Sequence, residues 1–121
     1  MDKKTILIIE DSYSSLLLMD YTIKGEGYDT QLAMDVKEAK EVIKKKKPDL
    51  IILDLNLPEI SGYDFLKMKV EVKIEKTPII IVSALDSPES IQLSKNLGAS
   101  DFIAKPIKLD LIIEKIKALL R

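Results

Sequence analysis

The chain has 121 residues, 46% of them hydrophobic and 32% charged, with a formal net charge of −1. This length suits one domain with a single core, and the near-neutral charge predicts no general attraction to nucleic acid or anionic lipid. The sequence lacks cysteine and histidine, which excludes disulfides, thiolate metal sites and the commonest general base. Any chemistry must therefore use carboxylates, hydroxyls, lysines, the backbone or a bound ion.

The N-terminus does not have the pattern of a signal peptide. Its apolar stretch, residues 5–9, is short and runs directly into Glu10 and Asp11. No apolar stretch in the sequence approaches the length of a transmembrane helix. We therefore expect a cytoplasmic protein.

Short β-branched runs alternate with stretches that have helical periodicity or helix-capping residues. The predicted elements, in chain order, are a strand at 6–9, a helix at 12–24, a strand at 29–33, a helix at 36–46, a strand at 50–53, a helix at 63–72, a strand at 79–82, a helix at 87–97, a strand at 102–104 and a helix at 108–120. Three of the strands are continuously apolar, which is typical of parallel strands that are covered on both faces. The pattern predicts an α/β fold of the doubly wound (βα)₅ type, with right-handed crossovers.

The third helix has the weakest pattern. Met68, Val70, Val72 and Ile74 alternate with charged residues, which is the period of a strand. Two parallel strands flank this stretch and need a crossover between them. We therefore predict a helix at about 63–72, with an end that lies anywhere up to residue 75.

Residues 44–47 are four consecutive lysines. Cations at the C-terminus of a helix interact favourably with its dipole. We interpret the run as a solvated helix end rather than a nucleic-acid-binding patch.

Polar residues follow four of the five predicted strands. They are Glu10, Asp11, Asp54, Ser83 and Lys105. In open parallel sheets, ligands bind beyond the carboxyl ends of the strands. Each residue alone has an ordinary structural explanation, such as an acidic helix start or a solvated lysine. Their convergence on one edge favours a functional site.

The residue types at this edge suit phosphoryl chemistry with a divalent cation. Three neighbouring carboxylates repel one another, and a hard cation relieves that repulsion. Mg²⁺ prefers oxygen ligands and often shares them with phosphate, whereas the spacing of a calcium loop is absent. A carboxylate such as Asp54 can attack phosphorus. Lys105 offers a positive charge to phosphoryl oxygens, and Ser83 offers a hydroxyl donor.

Four segments resemble the receiver domain of two-component response regulators. They are residues 8–11 (IIED), 53–58 (LDLNLP) together with Gly62, 82–84 (VSA) and 98–106 (GASDFIAKP). They occur in the family's order and at its spacing, and the resemblance covers the whole chain. It implies a flavodoxin-like sheet of order 2-1-3-4-5, with the ends of the first and third strands side by side.

The resemblance also implies a phosphoacceptor and a metal site. Asp54 would take the phosphoryl group. Mg²⁺ would be bound by Asp54, by Asp11, by Glu10 directly or through water, and by the backbone carbonyl of Asn56. Glu10 stands where aspartate is more frequent in the family.

Five further residues receive roles from the same resemblance. Ser83 would hydrogen-bond the bound phosphoryl group, and Lys105 would pair with it. The peptide bond between Lys105 and Pro106 would be cis. Phe102 takes the aromatic switch position coupled to Ser83, without the hydroxyl of a tyrosine; a buried core aromatic is the alternative explanation for it. Leu85, two residues after Ser83, is expected to slow phosphate loss.

The resemblance implies a signalling switch rather than a dedicated enzyme. We expect a single receiver domain, residues 1–121, without an output domain. A sensor histidine kinase or histidine phosphotransfer protein would supply the phosphate. An unknown target protein would bind the face built from residues 87–120, and the chain would be a monomer or a phosphorylation-favoured dimer. No nucleic-acid or membrane partner is expected.

Three other functions compete with this one. The first is a relay intermediate that passes phosphate from Asp54 to a histidine phosphotransfer protein. The second is a phosphohydrolase of the haloacid dehalogenase type, but Asn56 stands where that family places its general acid. The third is a flavodoxin-like flavin binder, which is disfavoured because no Ser/Thr/Gly-rich phosphate loop follows the first strand.

Overall fold

A computed structural model describes residues 3–121 as five strands and five helices. Met1 and Asp2, which begin the N-terminal stretch that lacks the pattern of a signal peptide, lie outside the described residues. The strands are β1 (Thr5–Ile9), β2 (Asp29–Ala33), β3 (Leu50–Leu53), β4 (Ile79–Ser83) and β5 (Asp101–Ala104). The helices are α1 (Tyr13–Gly25), α2 (Val36–Lys45), α3 (Gly62–Leu66), α4 (Pro88–Asn96) and α5 (Leu109–Leu120).

The strands form one parallel sheet of order β2-β1-β3-β4-β5. This confirms the (βα)₅ fold and the strand order that the resemblance implied. Ile9 is level with Leu53 across the β1–β3 pair, and Leu53 is level with Ile81 across the β3–β4 pair. The chain therefore leaves β1 and β3 at neighbouring points of the same edge.

Both faces of the central strands β1, β3 and β4 are buried, because helices cover the two sides to which successive strand residues point. Ile6 and Ile8 pack in a core with residues of α1 and α5. Leu7 and Ile9 pack in a second core with residues of α2 and α3. This explains why the central strands show no polar alternation. Within residues 3–121, no helix combines the length and apolar character needed to cross a membrane.

Side-chain caps begin three of the helices close to the predicted positions. Asp35 accepts a hydrogen bond from the backbone N of Glu38 (2.7 Å), and Ser87 accepts one from the backbone N of Ser90 (3.1 Å). Ser61 caps α3 in the same way. These bonds satisfy backbone N–H groups that the first turn leaves free. α1 extends one residue beyond the predicted end at residue 24, because Gly25 is its last helical residue.

The prediction of a helix at 63–72 is wrong in its extent, since α3 ends at Leu66 and turns follow it. Met68 N bonds the carbonyl of Phe65 at 2.9 Å, which is a tighter turn than an α-helix makes. Ile74 is fully buried in the core, whereas Val70 is 74% exposed. The need for Ile74 to reach the core, together with the low helix propensity of β-branched residues, explains the early end of the helix.

Candidate functional site

The five polar residues predicted from the strand ends meet at the carboxyl edge of the sheet. Glu10 and Asp11 follow β1 directly, Asp54 follows β3 and Lys105 follows β5. Ser83 is the last residue of β4 rather than the first residue after it. Hydrogen bonds link the side chains of four of them, Glu10, Asp54, Ser83 and Lys105, whereas Asp11 contributes to the acidic cluster.

Lys105 bridges two buried carboxylates. Its Nζ donates to Oε1 of Glu10 at 2.8 Å and to Oδ2 of Asp54 at 2.9 Å. The side chains of Glu10 and Asp54 are 1% and 6% exposed, and that of Lys105 is 21% exposed. Charge-assisted bonds of this kind are strong where little water competes. A single ammonium group therefore holds two carboxylates from neighbouring strands together.

The second oxygen of Asp54 is also hydrogen-bonded. Oδ1 accepts from Oγ of Ser83 at 2.9 Å and from the backbone N of Asn56 at 3.1 Å. Ser83 Oγ in turn accepts from the backbone N of Leu85 at 3.2 Å. The orientation of the Asp54 carboxylate is therefore determined by donors from three separate segments.

The pKa of the Glu10 carboxyl is raised above its ordinary value. Burial is the largest cause, and the nearby Asp54 charge adds to it. Hydrogen bonds from Lys105 and from the backbone N of Ser12 (3.0 Å to Oε2) favour the charged form but do not offset burial. A negative charge on Glu10 is thus only partly compensated within the protein.

Burial alone would lower the pKa of Lys105, but its hydrogen bonds to Glu10 and Asp54 outweigh that effect. The pKa of Lys105 is therefore raised, and the ammonium form is favoured at neutral pH. A group that is positively charged at neutral pH consequently stands beside Asp54.

The acidic cluster fits a small divalent cation. Three carboxylate oxygens, one from each of Glu10, Asp11 and Asp54, lie within 4.8 Å of one another. All are hard oxygen donors of the kind that Mg²⁺ prefers. Glu10 and Asp54 are buried, whereas Asp11 is exposed. This leaves a solvent-facing side, which suits an ion that usually retains several of its waters.

Asn56, Phe102 and Pro106 also have roles that the resemblance implied. The side chain of Asn56 is exposed. Phe102 is half-buried and packs against the core that α2 and α3 cover. The peptide bond between Lys105 and Pro106 is cis.

Sequence reasoning missed the backbone donors of the site. The amides of Ser12, Asn56 and Leu85 each lie two residues after the side chain whose oxygen they bond. Acidic and serine side chains commonly accept from the backbone two residues further on. The two-residue spacing could therefore have predicted these three hydrogen bonds. The contact between Lys105 and Glu10, 95 residues apart, had no local signal.

Gly62 supports the loop that carries Asp54. Its backbone N donates to the carbonyl of Leu55 at 2.9 Å. A Cβ atom at position 62 would lie 2.7 Å from Leu55 Cα and would overlap the carbonyl oxygen of Asp54. Both contacts are with backbone, which cannot rotate away. Only glycine allows the start of α3 to pack this closely beneath the site.

We expect Gly62→Ala to displace Asp54 and to lower the free energy of unfolding by about 1–3 kcal/mol, as overpacking does. Gly25→Ala is the matched control, because nothing lies within 4 Å of a Cβ at that position. Urea unfolding would measure stability, and amide NMR shifts at positions 54–56 would report displacement. Unchanged shifts at these positions in Gly62→Ala would contradict the role of Gly62.

Comparison with known proteins agrees with this fold. Residues 6–117 match the response regulator receiver domain family. Sporulation initiation phosphotransferase F of Bacillus subtilis is 35% identical over 117 residues, which are 97% of this chain and 94% of that protein. The alkaline phosphatase synthesis transcriptional regulatory protein PhoP of the same organism is 36% identical over 121 residues, but the match covers only 50% of its length.

Solved structures give the same result. A two-component response regulator from Clostridium difficile superposes with a TM-score of 0.92 at 28% identity, covering 98% of this chain and 97% of that one. The chemotaxis protein CheY4 of Vibrio cholerae gives a TM-score of 0.91 at 28% identity, with coverage of 98% and 100%. This chain therefore belongs to the response regulator receiver domain family of two-component systems.

Proposed function

We propose that the chain is a phosphoacceptor switch that takes a phosphoryl group on Asp54 and signals through a partner protein. The observation that carries this proposal is the position of the Lys105 ammonium and the Ser83 hydroxyl. Both contact the Asp54 carboxylate, within a cluster of three carboxylates. Positioned charges and donors of this kind supply most of the catalysis in phosphoryl transfer.

The reaction is a displacement at phosphorus. An oxygen of the Asp54 carboxylate forms a bond to phosphorus, and the bond between phosphorus and the donor histidine nitrogen breaks, with the electron pair staying on nitrogen. Lys105 balances negative charge on the transferred group. A Mg²⁺ ion bound by Glu10, Asp11, Asp54 and the Asn56 carbonyl would neutralise further phosphoryl charge. The chain thus assists its own modification and is not a dedicated enzyme.

Phosphorylation would force the hydrogen bonds at Asp54 to rearrange. One carboxylate oxygen becomes an acyl phosphate oxygen and loses its charge, so Ser83 and Lys105 gain more by bonding the phosphoryl oxygens. Because Leu85 N is bonded to Ser83, a shift of Ser83 also moves the loop that leads into α4. We infer that Phe102 responds to this shift and that residues 87–120 present the changed face to a target protein.

Incubation with Mg²⁺ and a small acyl phosphate donor is expected to add the mass of one phosphoryl group to the protein. Asp54→Asn should abolish the gain, because an amide is not a comparable nucleophile. Asp86→Asn is the matched control, since Asp86 is exposed in the loop after β4. Removing Mg²⁺ with a chelator should prevent the gain. A mass gain that persists in Asp54→Asn would overturn the assignment.

A relay role is the second candidate. It is favoured by the similarity to sporulation initiation phosphotransferase F, which this chain matches over nearly its whole length. In this role Asp54 passes its phosphoryl group on to a histidine.

The two roles differ in where radiolabel goes from phosphorylated Asp54. In a relay, adding a purified histidine phosphotransfer protein moves the label onto that protein within the lifetime of the phosphorylated chain. In a terminal switch, the label is instead released as inorganic phosphate at a rate that the added protein does not change. Gel separation of the labelled species distinguishes these results.

We expect Leu85→Glu to shorten the life of the phosphorylated chain several-fold. Leu85 is 42% exposed beside Ser83, and a carboxylate there would orient an attacking water that leucine does not hold. Leu93→Glu on α4 is the matched control, since Leu93 is 44% exposed. Release of inorganic phosphate measures the decay. Equal rates in wild type and Leu85→Glu would refute a protective role for Leu85.

A further inference from the structure

A basic cleft lies away from the acidic cluster, between α2 and the turns that precede β4. Lys40, Ile43, Lys44 and Lys47 line one wall, and residues 71–73 line the other. Its volume is about 580 Å³, which falls in the range of sites for small molecules. Ile43 and Val72 provide apolar surface, since Ile43 belongs to the core on that side of the sheet and the partly buried Val72 packs against it. The aliphatic stems of the lysines extend this apolar lining.

The lining is strongly positive although the whole chain is not. Four lysines and one glutamate line the cleft, whereas the chain carries a net charge of −1. Lys40 is paired with Glu71 across the cleft at 3.0 Å. Lys47 and Lys73 have no acidic partner within 4.0 Å among residues 3–121. Two cations on opposite walls are therefore available to an anion.

The dipole of α2 explains only part of this arrangement. Lys44 lies in the last helical turn, where a positive charge is favourable. Lys47 lies beyond the end of the helix, and Lys73 belongs to a different segment. Interpreting residues 44–47 as a solvated helix end therefore does not account for the facing lysine.

Lys73 also adopts an unfavourable backbone conformation. Its φ is 62°, in the left-handed region that glycine occupies without steric cost. Strain of this kind often concentrates at functional sites. A lysine at this turn is worse for the backbone than a glycine, but it adds a positive charge to the wall of the cleft.

We propose that this cleft binds a small organic anion in which an apolar ring or chain is joined to a phosphate, sulfonate or carboxylate group. The apolar part lies against Ile43, Val72 and the lysine stems. The anionic group lies between Lys47 and Lys73. This site is separate from Asp54 and does not depend on phosphorylation.

Anilinonaphthalene sulfonate is a suitable probe, because it combines an apolar ring system with one anionic group. Its fluorescence would be titrated with the full unphosphorylated chain. We expect saturable binding that weakens at least fivefold in Lys47→Gln/Lys73→Gln. The matched control is Lys95→Gln/Lys108→Gln, which removes two charges from exposed positions outside the cleft and should leave the affinity unchanged.

Lys73→Gly separates binding from folding. Glycine relieves the left-handed backbone while removing the charge, so the thermal midpoint should not fall although the probe binds more weakly. In the unsubstituted chain, addition of the probe should change the amide NMR shifts at positions 43–47 and 71–73. Inorganic phosphate and an oligoglutamate peptide, tested as competitors, should each bind at least tenfold more weakly than the probe.

Several results would overturn the proposal. The first is a probe affinity that is unchanged in Lys47→Gln/Lys73→Gln, and the second is NMR shifts that map instead to the exposed apolar residues Leu17, Leu18 and Tyr21 of α1. The third is inorganic phosphate that binds as tightly as the probe. The fourth is an oligoglutamate peptide that binds more tightly than the probe, which would indicate an acidic protein partner. None of these results depends on whether Asp54 accepts phosphate.

Discussion

The candidate site depends on one ammonium group that holds two buried carboxylates. Glu10 and Asp54 leave water when the chain folds, and each would be strongly destabilising as an isolated charge. Lys105 approaches both within 2.9 Å and reduces that cost. Lys105 compensates the negative charge of Glu10 only in part, because burial still raises the pKa of that carboxyl. The site therefore retains unsatisfied negative potential, which favours an additional cation.

This arrangement requires an accurate register of the sheet. Glu10 follows Ile9 and Asp54 follows Leu53, and these two residues are paired across β1 and β3. A slip of one residue would turn a strand's side chains to the opposite face. Because both faces of β1 and β3 are filled by large aliphatic residues, such a slip would also disturb both cores. Core packing consequently fixes the position of the acidic residues.

The sequence predicts well those features that depend on residues close together along the chain, and less well those that depend on distant ones. Continuous apolar runs and capping residues are local, so the strands and four of the helices were placed to within one or two residues. The carboxyl-edge rule for parallel sheets then located Asp54, Ser83 and Lys105 together. The end of α3 was misplaced because burial of Ile74, a tertiary requirement, overrides the need for a longer crossover helix. The contact between Lys105 and Glu10 arises only from strand order.

The hydrogen bonds of the resting site suggest how the proposed phosphorylation of Asp54 would act as a switch. All four oxygens of Glu10 and Asp54 already accept from a donor. A phosphoryl group on Asp54 would compete with the carboxylate oxygens for the donors Ser83 and Lys105. Ser83 is the donor that couples this exchange to the backbone, because its oxygen also accepts from Leu85 N. In the proposed switch, a chemical change at the buried Asp54 carboxylate would thereby reach the exposed loop before α4.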